Sequence, residues 1–129
     1  MKSIFFKSLL IIVFFNVQCS KSDSKTSNLI TIQELEVKKQ EIVSYISRFN
    51  CSATVGCNSI AFGSKACGGP KEYLVFPNTV DLDFLRNKVN QYNALEAQYN
   101  IQTNAVSDCM LVMPPENIGC VNNVCTILD

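Results

Sequence analysis

Six cysteines in the last two-thirds of a short chain constrain this sequence more than any other feature: Cys51, Cys57, Cys67, Cys109, Cys120 and Cys125. Whether they are staples or reactive thiols depends on the compartment, and the first residues speak to that. Lys2 and Lys7 precede or flank the apolar run from Leu9 to Phe15, which is too short to cross a bilayer as a helix. A basic start with a short apolar block is the pattern of a secretory signal, expected to occupy residues 1–18 and to be removed. In an exported chain an even set of cysteines reads as disulfides, here three. Six cysteines allow fifteen pairings, so connectivity stays open. Cys120 and Cys125 could bridge each other across a closing hairpin or point inward and clasp earlier segments. The second arrangement ties distant parts together and is the one we expect.

The seventh cysteine, Cys19, stands alone just past the apolar run and is followed by the polar stretch Ser20-Lys-Ser-Asp-Ser-Lys25. This junction resembles a bacterial lipoprotein signal. That resemblance implies cleavage before Cys19, acylation of its thiol and new amine, and a membrane partner reached through the lipid. Asn16 and Gln18 stand where the lipoprotein pattern favours an aliphatic and a small residue. Ordinary cleavage nearby, giving a soluble periplasmic or secreted protein, is the alternative. Residues 20–28 contain nothing to bury and read as a disordered tether. Such a linker holds the folded domain on the order of 20 Å from the membrane.

From residue 29 to 129 the chain reads as one α+β domain, with two amphipathic helices packed on a small antiparallel sheet and stapled by disulfides. Thr31-Ile-Gln-Glu34 has the form of a capping box, and Ile32, Leu35, Ile42, Ile46 and Phe49 recur at helical spacings, predicting a helix to about Arg48. Asp81 suits the N-cap of a second helix. Its apolar stripe is Leu82, Leu85, Val89, Tyr92, Leu95 and Tyr99, and the Asn-rich end at Asn100 and Asn104 suits termination. Tyrosines at this spacing are expected to pack their rings and leave the hydroxyls wet. Strands are expected at Ser59–Phe62, Tyr73–Phe76 and Cys109–Met113. A closing hairpin should turn at Asn122-Asn123, residues that tolerate the positive φ of a two-residue turn.

The stretch "FGSKACGGPKEYLVF" carries the candidate binding loop: Lys65, Gly68, Gly69, Pro70 and Lys71 around Cys67. Gly-Gly-Pro is turn chemistry first, and a tight reversal launching a strand at Tyr73 accounts for it. Together with "QYNALEAQYN", "VSDCMLVMPP" and "CVNNVC", this stretch resembles an uncharacterised family of small exported bacterial proteins. They share a Gly-Ser/Ala-Lys-x-Cys-Gly-Gly-Pro segment, a Tyr-Asn helix and a Ser-Asp-Cys strand. The likeness runs from about Phe49 to Thr126 and implies no activity. Lys71 stands where relatives often carry an aromatic residue. Lys65 beside Cys67 is also similar to the way disulfide-rich serine protease inhibitors display a basic side chain. That is the alternative function.

Several chemistries lack their residues. There is no histidine, which removes the commonest general base and zinc ligand, and no Cys-x-x-Cys for a metal or redox site. From Ser20 onward nine Lys+Arg face eleven Asp+Glu, so no basic stripe invites nucleic acid. Asp81 and Asp83 fit a helix N-terminus better than a calcium loop. The expectation is a non-catalytic envelope lipoprotein, a binding or structural module without cofactor or metal. Its partner would be an envelope or extracellular protein or glycan.

Overall fold

A computed structural model describes residues 29–128. The expected signal at 1–18, the expected acylation site Cys19 and the expected tether at 20–28 lie outside the described residues. Among the described residues no helix is long and apolar enough to cross a membrane.

Thr31 caps α1 (Ile32–Ile46), its hydroxyl accepting the Glu34 amide at 3.1 Å. Only this half of the expected capping box forms. After α1 the chain runs through Cys51 into β1 (Cys57–Phe62), which pairs antiparallel with β2 (Glu72–Pro77), Phe62 facing Glu72 at the loop end. α2 (Leu82–Gln102) opens on Asp81, whose carboxylate accepts the Phe84 amide at 3.0 Å. An irregular arm comes next, and the chain closes with β3 (Ile118–Val121) and β4 (Val124–Ile127). Their turn is the expected one: Asn122 and Asn123 sit at φ 51° and 65°, both in the left-handed region a type I′ hairpin requires.

The α+β class holds, with one difference. The strands form two separate two-stranded sheets, β1–β2 and β3–β4. The segment Cys109–Met113, expected to be a strand, has no regular structure and joins neither. A strand is defined by its neighbour, and β-rich sequence alone does not supply one. Among the described residues, the arm from Val106 to Glu116 makes no backbone–backbone hydrogen bond.

The core is built where the helices meet the first hairpin. Leu35 and Ile42 of α1, Phe62 and Phe76 of the hairpin, Val80, and Leu85, Val89 and Tyr92 of α2 form one buried cluster. Removing each such side chain from water contributes about 1.5–3 kcal/mol. Of the predicted α1 face, Leu35 and Ile42 reach the core, Ile46 and Phe49 pack beside it, and Ile32 lies exposed.

The second hairpin has little core of its own and is held by sulfur. Cys51–Cys120 and Cys57–Cys125 are bonded, with Cα–Cα distances of 5.7 and 5.8 Å. Cys120 and Cys125 are cross-strand neighbours in the hairpin, yet each bridges away from the other to an earlier segment. That is the clasping arrangement. The Cys51 amide adds a 3.2 Å bond to the Asn123 carbonyl at the hairpin turn.

Candidate functional site

The loop between β1 and β2, residues 63–71, contains every residue of the predicted binding loop, and two other segments hold it. Gly63 opens it at φ +79°, so close to its neighbours that an added Cβ would lie 2.9 Å from Lys71 Cβ and 3.0 Å from Glu96 Oε2. Only glycine fits there without displacement. Gly68 and Gly69 also take positive φ, 97° and 80°, and the reversal is closed by Lys65 N to Gly69 O at 2.9 Å and Gly68 N to Lys65 O at 3.0 Å. The predicted tight turn is present.

One side of the loop rests on α2. Its buried face runs Leu85, Val89, Tyr92, Glu96, Asn100, apolar in the first half and polar in the second. The polar half meets backbone. Asn93 accepts the Gly63 amide at 2.8 Å, Glu96 accepts the Ser64 amide at 2.7 Å, and Asn100 donates to the Ser64 carbonyl at 2.8 Å. Glu96 is 5% exposed and is also paired with Lys71 at 2.7 Å. The Tyr92 hydroxyl donates to Glu96 at 3.3 Å while its ring stacks on Phe62 with centroids 4.3 Å apart. The Tyr92 hydroxyl is therefore buried, contrary to the expectation for these tyrosines. Burial and the Glu96 charge beside it push the phenol far above its ordinary range.

The other side of the loop rests on the arm. The Lys65 ammonium pairs with Asp108 and donates to the Met110 carbonyl at 2.9 Å, leaving its side chain 11% exposed. The Lys65 interaction holds the Asp108 carboxyl below the usual carboxylate range, first by hydrogen bonding and then by charge. The five predicted loop residues are thus not presented together. Lys65 turns to the arm, Lys71 turns the opposite way to α2, and the exposed tip is Ala66 to Gly69. A lysine folded back onto a carboxylate is not the displayed basic side chain that an inhibitor loop requires.

Two of the three expected disulfides form. Cys67 and Cys109 are exposed thiols, and the contact of loop and arm sets the Cys67 sulfur against Ser107 and Asp108, the two residues before Cys109. The Cys67 amide donates to Ser107 Oγ at 3.3 Å, and that hydroxyl lies 3.3 Å from the Cys67 sulfur. The Cys67 thiol lies 3.1 Å from the Asp108 carbonyl as a donor. Hydrogen bonds from the Cys109 thiol and the Ser107 hydroxyl lower the Cys67 pKa, and the Cys109 thiol is raised by the same contact.

Compared with known protein families, curated proteins and solved structures, the chain matches none. The sulfurs of Cys51, Cys57 and Cys125 lie within 4.8 Å of one another, a spacing a metal could use. They belong to two adjacent bridges, so they offer no thiolate to an ion. Reading the sequence alone missed Asn93, Glu96, Asn100, Ser107 and Asp108. All five lie in the "QYNALEAQYN" and "VSDCMLVMPP" segments, which marks those segments as the supports of the loop.

Proposed function

We propose that the chain is a non-catalytic binding module of the bacterial envelope, anchored through an acylated Cys19, which captures an extended segment of another envelope protein along its arm. The observation carrying this is the arm itself. Val106, Met110, Leu111 and Met113 are all more than half exposed, on a stretch whose backbone pairs with no other strand among the described residues. A polypeptide strand meets both needs, hydrogen bonds for the backbone and pockets for alternate side chains. A glycan fits less well, since the arm carries no aromatic ring for a sugar face. Lys65–Asp108 and the Cys67–Ser107 bonds tie the first half of the arm to the loop, and pre-ordering lowers the cost of binding.

Capture from envelope extract tests this, followed by amide exchange on the purified pair. The expected result is a protein retained by wild type and lost with the Met110→Asp/Leu111→Asp variant, which protects amides 106–113. Retention by that variant, or protection elsewhere, refutes the reading. For the anchor, Cys19→Ser should release the protein from membranes. A wild-type chain already free of membranes defeats that part.

A further inference from the structure

The six cysteines of the domain divide into two classes by place. Four close the two bridges that hold the second hairpin, among which Cys51 and Cys125 are buried. The remaining two, Cys67 and Cys109, are exposed, on segments 42 positions apart that Lys65 and Asp108 already pin together, with the Cys67 sulfur against the Asp108 carbonyl that precedes Cys109 in the chain. The turn glycines beside Cys67, Gly68 and Gly69, have nothing within 4 Å of the position a Cβ would take, so the approach from solvent is open.

We propose that Cys67 and Cys109 form a solvent-facing thiol–disulfide exchange site for low-molecular-weight disulfides, with Cys67 the attacking sulfur and Cys109 the resolving one. The assignment rests on the surroundings of each sulfur. Ser107 Oγ accepts the Cys67 amide, which leaves its own hydrogen for the Cys67 sulfur. The Lys65 ammonium lies near the same atom. One group opposes charge there, the Asp108 carbonyl at 3.1 Å, and the donors outnumber it. Cys109 has the charge of the adjacent Asp108 carboxylate against it, so it is the weaker nucleophile.

The exchange balances without a further reagent. The Cys67 thiolate attacks one sulfur of the incoming disulfide, forming a mixed disulfide and expelling the first thiolate. Cys109 loses its proton to solvent and attacks the Cys67 sulfur, forming Cys67–Cys109 and expelling the second thiolate. Two protein thiols are oxidised and one external disulfide becomes two thiols. The event is stoichiometric for each chain. It stands apart from the binding reading, although closure would bond the arm covalently to the loop.

The full chain, with Cys67 and Cys109 reduced and the two inner bridges intact, is exposed to glutathione disulfide and each cysteine is followed by peptide mass spectrometry. Cys109→Ser should accumulate the adduct on Cys67, and Cys67→Ser should acquire it on Cys109 about tenfold more slowly. Wild type should end with Cys67 bonded to Cys109 and no adduct. Equal rates in the two variants, or wild type ending with adducts on both sulfurs, overturns the proposal. A second measurement needs no variant: in graded dithiothreitol, oxidised wild type should open Cys67–Cys109 before either inner bridge. The opposite order overturns it equally.

Discussion

The two inner bridges should be thermodynamically coupled, and the coupling can be worked from their positions. Each alone closes a loop of roughly 70 residues, Cys51 to Cys120 or Cys57 to Cys125. Restricting the unfolded chain by a loop of that size stabilises the fold by about 4.4 kcal/mol at 25 °C. Once one bridge is present, however, the second closes only the short path through it. That path runs from Cys51 to Cys57 on one side and from Cys120 to Cys125 on the other, about a dozen residues, for which the same relation gives about 2.8 kcal/mol. Removing either bridge by a paired Cys→Ala change should therefore cost about 3 kcal/mol, and removing both about 7 kcal/mol. The double loss exceeds the sum of the singles by about 1.5 kcal/mol. Urea unfolding of the three variants and wild type under non-reducing conditions measures this. Losses that simply add, or a double loss smaller than the sum, would refute the loop-entropy reasoning and place the stabilisation in local packing around Cys51.

Three further outcomes are expected. Glu96→Ala strands the Ser64 amide, the Tyr92 hydroxyl and the Lys71 ammonium, and should cost about 3 kcal/mol in denaturant unfolding, against about 1–2 for Glu96→Gln, which keeps an acceptor; a loss below about 1 kcal/mol in the alanine variant would show that Glu96 does not hold the loop. Gly63→Ala meets both a positive φ and the Lys71 and Glu96 side chains, so it should cost about 2–3 kcal/mol, whereas Gly68→Ala meets only the φ and should cost about 1; equal losses would remove the steric account. The Asp108 carboxyl, depressed by Lys65, should titrate by NMR below the ordinary aspartate range and return toward it in Lys65→Met. Because its folded pKa is the lower one, the Lys65–Asp108 link is fully present above the ordinary carboxylate range and weakens only as pH falls through the depressed value. An unchanged midpoint in the variant would show the pair to be absent in solution.

The local signals were legible because local chemistry carries them. Thr31 and Asp81 cap α1 and α2, and Asn122-Asn123 take the left-handed conformation that their short polar side chains tolerate. The buried face of α2 was legible from Leu85 through Tyr92, while Leu82, expected on it, lies exposed, and the signal was lost after Tyr92. There the apolar line continues as Leu95 and Tyr99, while the structure turns Glu96 and Asn100 inward. A charged residue on an inward face makes sense only when its partners are known, and those come from the β1–β2 loop about thirty positions earlier. The arm failed for the converse reason. Its residues suit a strand, but the edge that would complete one lies in no other part of the described chain.

By itself the sequence determined the helices, the hairpin turn, the Gly-Gly-Pro reversal and the α+β class, all of which depend on residues within a few positions of one another. The tertiary structure decided which sulfurs bond and which remain thiols. It also decided that Lys65 folds back onto Asp108 and that Glu96 anchors a loop instead of facing water. Each of these pairs groups from 32 to 69 positions apart, and no local preference can register a contact at that range.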